Sequence, residues 1–277
     1  MQKPNLLIPA LDVNPHRGTE PGKAFQWTTA LAEFYQVHVI CSVDAAEICK
    51  KSGRCESWIF HPVEIQLDST SFIRFYKSYY KWCRLLIPKC LELIPQIRPV
   101  GLHHTVLGSF RMLPGYHRLS IPYTLGPLGG GETAPWHLLR ESSLPASAFI
   151  KEMIRPTLNY ACLLNPQVRQ VIQNARVVIA TTPETEGLLK WAGARKTAVV
   201  FPDAIDLSRL PADPLHARQL QLGELRANFR GIWSGRFLWW KGGQLALRFL
   251  ARLRQAGCNV HERILYSTKC QSVNCER

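Results

Sequence analysis

The chain has 277 residues, 46% of them hydrophobic and only 19% charged, with a formal net charge of +14. That balance excludes a disordered or collagen-like polymer and is enough for one large domain or two of ordinary size. The charge calls for an acidic partner, whether nucleotide phosphates, an anionic membrane surface or nucleic acid, and does not choose among them.

Asn5 to Leu11 reads as a first strand. Its Leu6–Leu11 run is too short and Pro-broken for a signal-peptide core. No stretch reaches the roughly 18 apolar residues that cross a bilayer, so the expected location is cytoplasmic. A glycine-bearing loop, His16 to Gly22, leads into a helix expected from about Lys23 to Phe34, and Val37 to Cys41 is the next strand. Residues 70–98 have a mostly helical pattern ending in prolines. Further strands are expected at Val100–Val106, Ile121–Leu125, Val177–Thr181 and Ala198–Phe201, with a helical region over about 145–174. Apolar runs alternating with helical patterns predict an α/β fold with a parallel sheet.

Around Pro202 to Leu222 prolines and charges replace the periodicity, which predicts a linker. The expected organisation is a Rossmann-like domain over 1–205, a linker over 206–230, and the start of a second domain over 231–277. In that second part a short apolar strand precedes Arg236 and Lys241, and a helix runs from Lys241 to Gln255. Leu245, Phe249 and Leu253 share one helix face, and Gly257 is the expected stop. Beyond Val260 only a brief Ile264–Tyr266 run interrupts the polar residues.

Four segments carry chemistry. Arg236 and Lys241 beside a helix start form an anion cradle, because helix N-termini carry partial positive charge and unpaired N–H groups. The ligand suited to it is a diphosphate. Gly126 to Glu132 contains three consecutive glycines after a strand, where a partner can pack on bare backbone, and Glu132 offers a carboxylate to sugar hydroxyls. The loop ending at Gly22 either brings backbone to a phosphate or sugar or is a plain strand-to-helix turn. His103 and His104 end a strand on the same edge. Adjacent strand residues point to opposite faces, so they do not share a metal.

The nine cysteines form no disulfide framework, and the close pair Cys270 and Cys275 has no histidine or second pair at zinc spacing. Free thiols and no metal are expected. Phe72 to Leu86 mixes cations with aromatics at helical spacing, and fits either an anionic membrane surface or a core-packing helix with a solvated basic edge.

Taken together, His16 to Trp27, His103-His104, Gly126 to Pro135, Val178 to Thr185, and Gly235-Arg236 with Lys241-Gly242 resemble the retaining glycosyltransferases of family 4, in a bacterial polysaccharide-type branch. The resemblance spans residues 5 to about 260. It implies the GT-B architecture of two Rossmann-like domains, and transfer of a sugar from a nucleotide-sugar donor to an acceptor hydroxyl with retention of configuration. It implies no cofactor and no metal. Arg236 and Lys241 then receive the leaving diphosphate, and Gly22 lets backbone approach it from the other domain. His104 takes the position of the catalytic histidine near the transferred sugar. Glu20, Gly129, Gly130, Gly131 and Glu132 are expected to contact acceptor or sugar. A saccharide or lipid-linked glycan is the implied acceptor, with a role in cell-envelope or exopolysaccharide synthesis on the inner face of the plasma membrane.

One departure stands out. The family's pair of glutamates separated by seven residues does not occur after Lys241. The expectation from this is a second domain cut short, and a chain with little or no activity alone. The competing expectation is a non-catalytic α/β binding protein derived from such an enzyme. A nucleic-acid binder ranks last, since no nucleic-acid module is recognisable.

Overall fold

The computed structural model describes residues 3–17, 19–66, 68, 71–105, 107–141, 146–201, 228–235 and 242–266. In chain order these form β1 (Asn5–Pro9), α1 (Thr19–Ala32), β2 (Gln36–Ser42), α2 (Val43–Lys51), β3 (Ile59–Val63), α3 (Phe72–Ile97) and β4 (Gly101–His104). A 3-10 turn (Tyr116–Arg118) precedes β5 (Tyr123–Leu128). Then come α4 (Trp136–Glu141), α5 (Ala146–Leu164), α6 (Pro166–Asn174), β6 (Val177–Ala180), α7 (Pro183–Trp191), β7 (Thr197–Val199), β8 (Asn228–Gly235), α8 (Gly243–Gln255) and β9 (Asn259–Tyr266).

Seven of the strands form one sheet in the order β3-β2-β1-β4-β5-β6-β7, and every pairing in it is parallel. This is the α/β doubly wound arrangement expected from the alternating pattern. The strands have apolar residues on both faces because helices cover both. Leu7, Ile40, Leu102, Leu125 and Val178 pack with Tyr79, Trp82 and Leu86 of α3 and Val171 and Ile172 of α6 in one core. Leu6, Ile8, Val37 and Val39 pack with Ala24 and Phe25 of α1 and Ala45, Ala46 and Cys49 of α2 in a second.

Chain order reverses between β1 and β4. In an open parallel sheet the crevice beyond the carboxyl ends of the strands at such a switch is where ligands sit. It lies between the first turn of α1 and the loop that follows β4.

Several boundaries differ from those read in the sequence, each for a local reason. Helix α1 begins at Thr19, not near Lys23. Proline lacks an N–H, and a first helical turn needs none there, so Pro21 is compatible with helix and not with a turn alone. Glu20 also places a carboxylate at the positive end of the helix. Strand β5 extends through Pro127 to Leu128, because the register slips between Leu125 and Leu128 and an irregular ladder tolerates a residue without a donor. The region 145–174 is two helices, broken where Asn165 caps α6 and Pro166 opens it.

By internal contacts the chain divides into two compact units, Met1–Thr133 with Ile154–Ile205, and Ala134–Met153 with Asp206–Arg277. In the second, β8 and β9 pair in parallel over eight residues each with α8 between them, a βαβ unit. The strand β9 continues well past Val260, so the run Ile264–Tyr266 is its end rather than an isolated patch. Gly242, in the left-handed region at φ 69°, precedes α8.

The seven described cysteines carry free thiols. No helix among the described residues is long and apolar enough to cross a membrane.

Candidate functional site

The loop after β1 folds back on the helix it feeds. Asn14 accepts from the His16 N–H through its side chain at 2.8 Å, and its own N–H donates to the Pro21 carbonyl at 3.1 Å. Asp12 faces Arg17 at 3.7 Å. Burial raises the Asp12 carboxyl above its ordinary range; Arg17 opposes this and Asp44 adds to it. Gly22 lies in the first turn of α1. A Cβ there would come within 2.2 Å of the Arg17 carbonyl oxygen, so only glycine lets the loop close on the helix.

Glu20 joins that turn to the loop after β4. Its Oε2 accepts from the Gly108 N–H at 3.0 Å, and Oε1 lies 3.9 Å from Lys23 Nζ. The hydrogen bond spans the switch between β1 and β4. Gly108 in turn accepts from the Gly129 N–H at 2.6 Å, which draws the glycine loop after β5 into the same edge.

Each glycine of that loop has a protein neighbour. A Cβ on Gly131 would meet the Thr185 Cα at 2.7 Å, and one on Gly129 would meet Thr181 Oγ1 at 2.9 Å. The Gly130 carbonyl accepts from Arg111 and, at 3.2 Å, from Asn159 Nδ2. The bare backbone is thus packed by the chain's own α7 and Arg111. Arg111 is itself held by Asn159 Oδ1, which is buried on α5.

Glu132 reaches back over the loop to the N-terminus of α7. Its Oε1 accepts from the hydroxyls of Thr181, Thr182 and Thr185 at 3.0–3.1 Å, and its Oε2 from the Gly130 N–H at 2.8 Å. Thr185 also accepts from the Gly131 N–H at 3.1 Å. Burial pushes the Glu132 carboxyl upward, but backbone N–H groups and the Thr185 and Thr182 hydroxyls outweigh it and leave the group below its usual range. The positive end of α7 therefore already holds an anion, supplied by the protein.

His103 and His104 lie on opposite faces, as their adjacency on β4 requires. His103 stacks on Trp27 of α1 with ring centroids 5.5 Å apart, and its Nδ1 meets Thr124 Oγ1. His104 is 1% exposed, and its Nδ1 meets the Tyr116 hydroxyl at 2.7 Å. Neither Nε2 makes a hydrogen bond among the described residues. Burial lowers His103 to about 4 and His104 to about 3, with His103 adding to the effect on His104. Both imidazoles are neutral at pH 7.

Of the residues singled out in the sequence, Glu20, Gly22, Gly129, Gly130, Gly131, Glu132 and His104 thus gather at the carboxyl edge of β1, β4 and β5. Arg236 and Lys241 lie outside the described residues. The sequence reading missed Arg111, Asn159 and Tyr116, and gave Thr185 no role of its own within the Val178–Thr185 segment. Thr185 had a local signal, since Thr182-Pro183-Glu184-Thr185 is a capped helix start with proline at its first position. Arg111 had none, because its partner Asn159 is 48 residues away.

No family model and no curated protein matches the chain. Among solved structures, sucrose-phosphate synthase from Thermosynechococcus elongatus superposes with a TM-score of 0.55 at 14% identity, over 98% of this chain and 64% of that one. Arabidopsis thaliana UGT89C1 complexed with UDP is similar at 0.46 and 9% identity, over 97% and 68%. MurG from Acinetobacter baumannii follows at 0.39 and 12%, over 96% and 69%. The fold is of the GT-B type. Within a GT-B fold, the edge built by Glu20, Gly108 and Glu132 lies beyond the carboxyl ends of the strands, where such sheets bind ligands. The chain spans about two thirds of the length of these structures.

Proposed function

We propose that this chain is a glycosyltransferase of the retaining, family 4 type, moving a sugar from a nucleotide-sugar donor to a saccharide or lipid-linked glycan acceptor in cell-envelope or exopolysaccharide synthesis. The observation that carries the reading is the convergence of three loops at the β1/β4 switch, tied together by Glu20 and Gly108, in a sheet of GT-B type.

In this reading the first domain ends near residue 205 and a second, nucleotide-sugar-binding part begins near 231. Charge builds on the leaving diphosphate as the glycosidic bond breaks. Arg236 and Lys241 are assigned its neutralisation, and the N-terminus of α1 at Gly22 carries partial positive charge of the kind a phosphate needs. His104 stays uncharged, so its backbone carbonyl faces developing positive charge at the anomeric carbon without repulsion from its own ring. Glu132 and Glu20 act mainly by holding the glycine loop and the Gly108 loop where acceptor and sugar are bound.

The test is nucleoside diphosphate release from a panel of UDP- and GDP-sugars with glycan acceptors, with the product anomer read by NMR. Acceptor-dependent release with retention is expected, at a low rate because the glutamate pair that handles the donor sugar in family 4 does not occur after Lys241. Arg236→Ala or Lys241→Ala is expected to lower it about tenfold or more. Neither binding nor release of any nucleotide sugar would overturn the assignment.

The non-catalytic alternative draws on a specific observation: the His104 side chain is closed to solvent and the Glu132 carboxylate is saturated by the protein. Saccharide binding without release of nucleotide is the outcome it requires.

Association with an anionic membrane is a further element of the proposal. It draws on the outward face of α3, where Ile73 and Tyr80 are exposed beside Arg74 and Arg84, while Tyr79, Trp82 and Leu86 fill the core. Sedimentation with phosphatidylglycerol vesicles, lost in Ile73→Ser/Tyr80→Ser, is expected. Equal sedimentation of that variant would remove the membrane from the reading.

A further inference from the structure

Away from the β1/β4 edge, a hollow of about 650 Å³ opens between the start of α2, the loop after β3 and one face of α3. Its volume falls in the range of roughly 300–1,000 Å³ typical of small-molecule sites. Lys77 and Lys81, one helical turn apart on α3, line one side. Asp44 from the first turn of α2, and Glu64 and Gln66 from the loop after β3, line the other. Val43 and Ile65 supply apolar surface.

The charges across this hollow are opposite, yet among the described residues none of the four has an ion-pair partner. Ser78, the remaining lining side chain, is already used: its hydroxyl donates to the Arg74 carbonyl and accepts from the Asp68 N–H. The groups left over are therefore two ammonium ions, two carboxylates and an amide.

We propose that this hollow binds an acidic saccharide, a sugar unit bearing a carboxylate or phosphate. Two adjacent ammonium groups suit such an anion, each as a strongly hydrated point charge. Carboxylates and an amide on the opposite wall accept hydrogen bonds from hydroxyls, which a sugar has in excess and a simple anion lacks. The apolar side chains meet the C–H face of the ring. Among the described residues no aromatic side chain lines the hollow, which argues against a nucleotide base as the occupant, since bases are held by stacking. That this saccharide is the acceptor rests on the sugar-transfer reading above; its binding rests on the hollow alone.

The test titrates the full chain calorimetrically with trigalacturonate, glucose 6-phosphate and neutral maltotriose. At least one acidic probe is expected to bind about tenfold or more tightly than maltotriose, and to lose that advantage in Lys77→Gln/Lys81→Gln. Asp44→Asn/Glu64→Gln is expected to weaken the same probe with the lysines intact. All four side chains are exposed, and circular dichroism checks that each variant folds. Equal affinity for acidic and neutral probes, or no effect of the lysine pair, would overturn the proposal. So would a variant that loses phosphatidylglycerol vesicles and keeps every saccharide. Nucleotide-sugar binding and nucleoside diphosphate release measured in parallel separate the two readings: acidic-saccharide binding with neither of these leaves the hollow standing and removes the transferase.

Discussion

Glu20 Oε2 accepts a hydrogen bond from the Gly108 N–H at 3.0 Å, joining the first turn of α1 to the loop after β4 across the topological switch of the sheet. Glu20 is 41% exposed, so the bond is partly screened. Glu20→Ala is expected to cost about 1 kcal/mol, read as a shift in the urea midpoint. Glu20→Gln keeps an acceptor oxygen and is expected to cost less. An alanine variant as stable as the parent would mean that the turn and the loop hold their places without this bond.

Glu132 satisfies three hydroxyls at the start of α7 and the Gly130 backbone N–H of its own loop. Glu132→Ala strands these donors in a half-buried site and is expected to cost about 2–3 kcal/mol in chemical denaturation. Thr185→Val, which keeps the shape but removes one donor and one acceptor, is expected to cost about half of that. A loss below about 0.5 kcal/mol for Glu132→Ala would show that water replaces the carboxylate without penalty.

Two glycines predict opposite signs. At Gly131 a methyl group would lie 2.7 Å from the Thr185 Cα, a backbone atom that cannot yield without moving α7. Gly131→Ala is expected to destabilise by about 1–3 kcal/mol. Gly187, inside α7, has open space on its side-chain side, with no atom within 4 Å of where a Cβ would sit. Gly187→Ala is therefore expected to stabilise by up to about 1 kcal/mol. Thermal melts of the two variants shifting the same way would contradict the packing at one of them.

Acid is expected to weaken the fold as soon as the pH drops below the ordinary histidine range. His103 and His104, buried and neutral, are lowered from 6.5 to about 4 and about 3. As pH falls below 6.5 the unfolded chain takes up protons that the folded chain refuses, so unfolding binds protons and stability declines with acidification. This contribution is whole above pH 6.5 and is lost progressively down to about pH 4 for His103 and about 3 for His104. His103→Gln is expected to flatten the slope of stability between pH 6.5 and 4. An unchanged slope would place the imidazole in solvent.

Much of the first sheet was legible from local pattern. The apolar runs at β1, β2 and β6 are short and set between helical stretches, and two-sided burial in a parallel sheet writes itself as such runs. Strand β3 was not legible, because Ile59-Phe60-His61-Pro62-Val63 contains a proline and is half-exposed at the sheet edge. Helix α3 was legible as a helix. Which of its residues face the core was settled by Tyr79, Trp82 and Leu86, and not by composition, since aromatics line both of its faces.

The candidate site divides in the same way. Sequence alone determined that glycines, paired histidines and carboxylates follow particular strands, because residue type and order are local properties. The assignment of neighbours belonged to tertiary structure. It joined Glu20 to Gly108, Glu132 to α7, Arg111 to Asn159, and Lys77 and Lys81 to the wall carrying Asp44 and Glu64. These partners lie well apart along the chain, and a hydrogen bond reaches only about 3 Å, so nothing short of the folded sheet brings them within range.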